Sequence, residues 1–464
     1  MNYRLIFNFI GNLLRVEAFL LLFPLIVSII YHENLYFAYS IPIFILILLS
    51  YVLKTKKSSK KQLYVREGFV ITGLSWILLS FFGSLPFIIS GEIPNFFDAF
   101  FETVSGFTTT GSSILKDIEA MSHSLLFWRS FTHWVGGMGV LVFVLAILPN
   151  TDASSMYILK AESPGPQVGK LVSKVRITAR ILYSIYIAMT VILIILLAFK
   201  MPLFDSFCNG LGTAGTGGFA IKNNSIAYYN SLYVDIVITI FMVLFGINFN
   251  IFYLLLIGHI KDAFKSEELR LYLFIIVGAI ILIAINLYYS GTFKTLSEAF
   301  RYSSFQTGSI ISTTGYTTTD FNLWPSFSRW ILVLLMFVGG MAGSTAGGIK
   351  YSINPRRVSS LTFEGKPLEP EVGKGVSAFF IAYIFLLLIG VLLISIDGKD
   401  LITNFTATLA CISNVGPGLA IVGPTGNFSS FSSFSKLVLS IIMLSGRLEI
   451  FPILILFSPR TWKR

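Results

Sequence analysis

Runs of about twenty residues with scarcely a charge recur along the chain, as in 271–289, "LYLFIIVGAIILIAINLYY". No other feature constrains the fold as much. In lipid every backbone amide must be satisfied within the protein, so only helices and closed barrels span a bilayer. About twenty residues of α-helix cross the hydrocarbon. A barrel strand needs only about ten, alternating in polarity, and the runs neither alternate nor stop at ten. Membrane helices are expected at about 7–30, 37–53, 68–90, 127–148, 180–199, 231–257, 271–289, 330–349, 376–396 and 435–457, ten in all. Composition agrees: 55% of the 464 residues are hydrophobic and 12% charged, against about a quarter charged in an ordinary soluble domain. The fold class read here is an all-α polytopic membrane protein.

The net charge of +11 could mark a nucleic-acid binder, but its distribution points elsewhere. With the N-terminus inside, 23 of the 34 Lys and Arg fall on the inner side, nine outside, and Arg15 and Arg447 within helices. This is the positive-inside bias. The charge therefore reports topology, with both termini expected in the cytoplasm, lipid as the surrounding partner and no nucleic acid. The two cysteines, Cys208 and Cys411, have no metal or disulfide spacing. The first apolar stretch has full helix length and is followed by "YHENLYF" rather than a cleavage site, so it reads as a retained helix.

Four segments between these helices resemble one another: "DAFFETVSGFTTTGSS" (98–113), "DSFCNGLGTAGTGGFA" (205–220), "YSSFQTGSIISTTGYT" (302–317) and "TNFTATLACISNVGPG" (403–418). Aligned on Gly111, Gly218, Gly315 and Gly416, they are spaced by 107, 97 and 101 residues. An aromatic stands eleven positions before the glycine in three of them (Phe100, Phe207, Phe405), and Phe305 stands ten before it in the third. A Ser or Thr precedes each glycine by two or three. Internal repeats of this kind define architecture. The unit is helix, re-entrant pore loop, helix, repeated four times around a single pore and preceded by two extra N-terminal helices. The divisions expected are 1–66 for the two N-terminal helices and basic loop, then pore repeats at 67–150, 151–258, 259–352 and 353–464.

Four backbones around one axis can replace the hydration shell of potassium with carbonyl oxygens. Glycine permits the required positive φ, and threonine can bond nearby backbone or add an oxygen. The short helix before each loop would aim its partly negative C-terminal end at a cation. The candidate ion ligands are Thr109, Thr110 and Gly111; Thr216, Gly217 and Gly218; Thr313, Thr314 and Gly315; and Asn414, Val415 and Gly416. No carboxylate lies among them. Asp98, Glu102 and Asp205, at the loop starts, are read either as attracting cations or as capping helices. Pro417 fixes its own φ and lacks an amide hydrogen, so the fourth wall should be stiffer than the others.

Below the third loop, "GGMAGSTAGGIK" (339–350) holds five glycines in twelve residues. Each costs a helix interior about 1 kcal/mol relative to alanine, and adjacent pairs do not share one packing face. A broken helix that could block the pore is expected. Arg447, at mid-depth of the last helix, is a functional candidate by default: a barrier to cations or a hold on that loop, with a structural pairing as the alternative.

"STTGYTT" (312–318) resembles the potassium-channel filter, with Thr317 where a second glycine would stand. Together with "GGMAGSTAGGIK", "FGINFNIFY" (245–253) and "LSGRLEIFP" (444–452), it makes the chain similar to the Trk/Ktr/HKT superfamily of potassium transporters. The two extra N-terminal helices are most similar to the TrkH branch. The resemblance implies potassium as the transported ion with no covalent cofactor, and uptake across the inner cell membrane. It implies a gate at Gly339, Gly340, Gly343, Ser344, Thr345, Gly347, Gly348 and Lys350 together with Arg447. It also implies a homodimer and a separate TrkA-like nucleotide-binding regulatory subunit. The alternative class is a sodium- or proton-coupled secondary transporter of another cation, which calls for paired acids in the membrane. An enzyme is not expected: the sequence has neither HExxH nor a phosphate-binding glycine loop.

Overall fold

A computed structural model describes residues 1, 3–54, 65–139, 175–348, 362–363, 366–367 and 370–462. Two N-terminal helices come first, Tyr3–Leu20 continuing as Leu22–Ile30, and Tyr36–Leu53. They pack on each other and on Val65–Gly83. Four sets of leading, short and trailing helix follow. The leading helices are Val65–Gly83, Val175–Ala198, Glu267–Tyr289 and Pro370–Ile394. The short ones are Phe96–Phe107, Leu203–Gly215, Leu296–Ile311 and Leu401–Ser413, and the trailing ones begin at His123, Leu232, Ser326 and Ser433. Apart from a two-residue strand pair, Thr362–Phe363 with Lys366–Pro367, the described residues are helix and loop.

Among the described residues, six helices are long and apolar enough to cross a membrane by themselves: both N-terminal ones and all four leading ones. Two of the trailing helices depart from expectation, while the third breaks where 339–350 is expected to break it. The stretches expected as continuous at 231–257 and 435–457 are interrupted, the former by a 95° bend between Leu232–Phe245 and Phe249–Leu256. The latter breaks between Arg447 and Phe451, where Glu449 and Ile450 take positive φ. The third stops at Val338, where Gly339 has φ +67. The first ends at Gly137, and the rest of its expected span lies outside the described residues. Interruption at depth is tolerated where freed backbone groups find partners in protein or face a cavity.

Packing between sets is cyclic. The trailing helix of the first set lies against the short helix of the second, the second against the third, the third against the fourth, and the fourth against the first. Small residues make the approach close, the usual device in lipid, where apolar burial drives little association. Between the first set and the second, a Cβ added to Gly215 would fall 2.2 Å from the His133 carbonyl oxygen, and one on Gly137 would fall 2.7 Å from Gly215 Cα. Three ion pairs clamp the short helices from behind: Arg129 to Glu102 at 2.8 Å, Arg301 to Asp235 at 2.6 Å and Lys436 to Asp98 at 2.6 Å.

Candidate functional site

All four short helices end alike. Thr110 N–H reaches Ser105 O, Gly217 N–H reaches Gly212 O, Thr314 N–H reaches Ser309 O and Val415 N–H reaches Ala410 O, each at 2.9 Å. One residue earlier, Thr109, Thr216, Thr313 and Asn414 donate to the carbonyls of Gly106, Thr213, Ile310 and Cys411. That pair of bonds is a Schellman motif, which puts its C′ residue in the left-handed region and favours glycine there. Here the residue is threonine three times and asparagine once, at φ +57, +53, +58 and +54. Two positions on, Gly111, Gly218, Gly315 and Gly416 are again positive, at +81, +73, +84 and +100. The sign of φ alternates over three residues in every loop, which lets successive carbonyls face the same side.

The loops close on one another. A Cβ added to Gly111 would fall 2.1 Å from Gly217 O, one on Gly218 1.9 Å from Thr314 O, one on Gly315 2.2 Å from Val415 O and one on Gly416 2.8 Å from Thr110 O. The order is first to second, third, fourth and back to first. Asn414 fastens the last seam, its Nδ2 donating to Thr110 Oγ1 at 2.9 Å and to Met443 O at 3.0 Å. His133 fastens the first, bonded to Gly106 O at 2.7 Å and accepting Phe219 N–H at 3.1 Å. A cavity of about 220 Å³ opens over the ring, and all four glycines line it. The twelve candidate ligands are thus gathered in one place.

The threonine hydroxyls are engaged within the protein, those of Thr110 and Thr313 also by Asn414 Nδ2 and Gly347 N–H. Thr109 and Thr216 donate to the carbonyls of Thr108 and Gly215, while Thr110 and Thr314 pair with the hydroxyls of Thr108 and Ser312. The acids at the loop starts do not cap the short helices. Glu102 is buried against Arg129 and accepts Ile114 N–H at 2.9 Å, and Asp98 is paired to Lys436. Asp205 accepts the Tyr229 hydroxyl at 2.7 Å. The capping side chains are Asn95, Thr295 and Asp400, and the second short helix starts at Pro202 with no side-chain cap.

Beneath the ring, residues 339–348 form a non-helical loop with positive φ at Gly339, Gly343 and Gly348. Its Gly347 N–H donates to Thr313 Oγ1 at 2.7 Å. Gly340 N–H closes on Gly347 O at 3.2 Å, and Ser344 caps the turn through Met341 O and Ala346 N–H. The loop is docked on the bend of the second trailing helix: Met341 N–H to Gly246 O, Phe249 N–H to Gly343 O and Thr345 Oγ1 to Phe245 O. Arg447 reaches Thr345 O at 2.9 Å and the carbonyls of Gly136 and Gly137 at 2.6 and 2.5 Å. It therefore bridges the loop and the end of the first trailing helix. Lys350 lies outside the described residues.

A family model for TrkH, described as a cation transport protein, matches residues 35–464. The chain belongs to the TrkH family. TrkH proteins are transporters, not enzymes. The chain is 33% identical to the Trk system potassium uptake protein TrkH of Salmonella typhimurium over all of both chains. It is 32% identical to the TrkG protein of Escherichia coli K12 over 99% of each. The crystal structure of the potassium transporter TrkH from Vibrio parahaemolyticus superposes over all of both chains with a TM-score of 0.88 at 30% identity.

Three features of this TrkH-family chain are not legible by sequence reasoning. The left-handed threonines escape it because β-branched residues rarely adopt that region; their shared position, two before each glycine, is the signal that points to them. His133 reads as packing, yet it joins two loops. Glu268, whose carboxylate accepts Ala342 N–H at 2.7 Å, carries no sequence signal at all.

Proposed function

We propose that the chain takes up potassium across the inner cell membrane, with the ring as its selectivity filter. The observation that carries this is the cyclic closure of four loops, each left-handed both at its glycine and two residues before it. A left-handed L-residue costs roughly 1–2 kcal/mol, and such strain concentrates where function requires it. Here it turns the carbonyls of Thr109, Thr110 and Gly111 and of their counterparts to one side, where they replace water around the ion. Because the hydroxyls are committed to bonds within the protein, carbonyls do most of the coordination.

In this reading the loop 339–348 is the gate, and its bond to Thr313 and Arg447 represents the closed state. Arg447 holds the loop by one charge-assisted bond, to Thr345 O, is itself anchored by two more to Gly136 O and Gly137 O, and sets a positive barrier under the filter. The ring cavity faces outward and both termini face the cytoplasm. The chain functions as a homodimer and is opened by a TrkA-like nucleotide-binding subunit; the relatives' designation as parts of a Trk system supports a multi-component assembly.

Flux of potassium, rubidium and sodium into liposomes holding the purified chain tests the filter. Potassium and rubidium should pass and sodium should be strongly disfavoured. Equal passage of all three ions would remove the ring as a filter.

A further inference from the structure

The gating loop is gripped from two directions. On one side are Phe245, Gly246 and Phe249 at the bend of the second trailing helix. On the other is Glu268, in the first turn of the third leading helix, which is 9% exposed and accepts Ala342 N–H through Oε1 at 2.7 Å. Both grips belong to one continuous stretch, 245–268. It leaves the loop as Phe249–Leu256, turns through the short helix Ile260–Lys265 and returns at Glu267. The turn is exposed, with Leu256 at 72% and Phe264 at 60%. A carboxylate accepting a backbone N–H away from water makes a strong bond, and this one fixes the loop midway between its other anchors, Met341 and Gly343.

We propose that Glu268 is the positioning residue that latches the loop shut, by accepting the Ala342 N–H. This rests on the reading of 339–348 as the gate. Losing one charge-assisted bond from the closed state alone shifts a two-state equilibrium roughly tenfold. The Glu268 bond runs to the loop and not to a ring residue, so the latch should govern how often the path is open and leave ion preference alone.

The full chain is reconstituted in liposomes without any partner, and potassium and sodium fluxes are compared for wild type, E268A, E268D, E268Q and a chain shortened within 340–348. E268A should raise potassium flux roughly tenfold with the potassium-to-sodium ratio unchanged. E268D, one methylene short, should raise it less. E268Q keeps an acceptor oxygen without the charge and should fall between wild type and E268A. E268A added to the shortened chain should give no further rise. If the shortened chain is open and E268A is not, the latch is overturned and the gate stands. If the shortened chain is no more open than wild type, the gate reading itself fails. E268Q flux equal to that of E268A, or an altered ion ratio in any Glu268 variant, also overturns the latch. Should E268A not be recovered folded, the rise of E268D and E268Q over wild type decides.

Discussion

At the scale of single residues, Gly315 is the sharpest test of the ring. A methyl group there would fall 2.2 Å from Val415 O and 2.8 Å from the Pro417 ring, at φ +84. Gly315→Ala should therefore push the third and fourth walls apart and lower the potassium-to-sodium flux ratio, by roughly tenfold for a loss of ~1.4 kcal/mol. An unchanged ratio in liposomes would take Gly315 out of the filter. Arg447→Ala removes the one bond to the loop 339–348, at Thr345 O, and the two to the first trailing helix that anchor it, each worth about 1.5–3 kcal/mol when charge-assisted. Potassium flux without a partner should rise at least tenfold, and Arg447→Lys, a point charge without the planar fork, should fall between. Silent Arg447→Ala protein that is folded would count against a hold on the loop. The glycines and the arginine were legible because their chemistry is exceptional in a membrane helix. The left-handed threonines were not, because intrinsic preference opposes the conformation and only the surrounding helices enforce it.

At the scale of elements, the four repeats could be read from spacing, aromatic position and glycine alone. The trailing helices could not be read as fully. "GGMAGSTAGGIK" declares its break through composition. The bend at 246–248 is held by contacts between elements, such as Met341 N–H on Gly246 O, and the kink at Glu449 and Ile450 is closed by backbone bonds such as Ile450 N–H to Ser445 O. Shortening the segment 340–348 should raise potassium flux without a partner, and a folded chain with unaltered flux would exclude it as a gate. His133→Ala strips a donor from Gly106 O and an acceptor from Phe219 N–H behind the first seam. Leaving a buried polar group unsatisfied costs about 1–3 kcal/mol, so the melting temperature in detergent should fall and ion discrimination should weaken. Unchanged melting would mean that the seam does not depend on this side chain.

At the scale of the whole molecule, cyclic packing of each trailing helix on the next short helix closes the assembly within one polypeptide. Expression in cells lacking potassium uptake, together with a TrkA-type partner, should restore growth on low potassium; failure to rescue despite membrane insertion would contradict the proposed transport. In mild detergent the particle should weigh twice the chain's 51.6 kDa, and a persistent single-chain mass would contradict the dimer. Closure within one chain has a kinetic corollary. Among the described residues, only the third trailing helix gives way to a glycine-rich loop directly under the ring. A pore built from four identical subunits carries four copies of any lid, and partial opening then passes through intermediate combinations. On the proposed gating, a single lid on one quarter moves against three fixed walls. Opening is one barrier crossing, so dwell times in single-molecule recordings should each follow one exponential, with no sublevels from partly opened quarters.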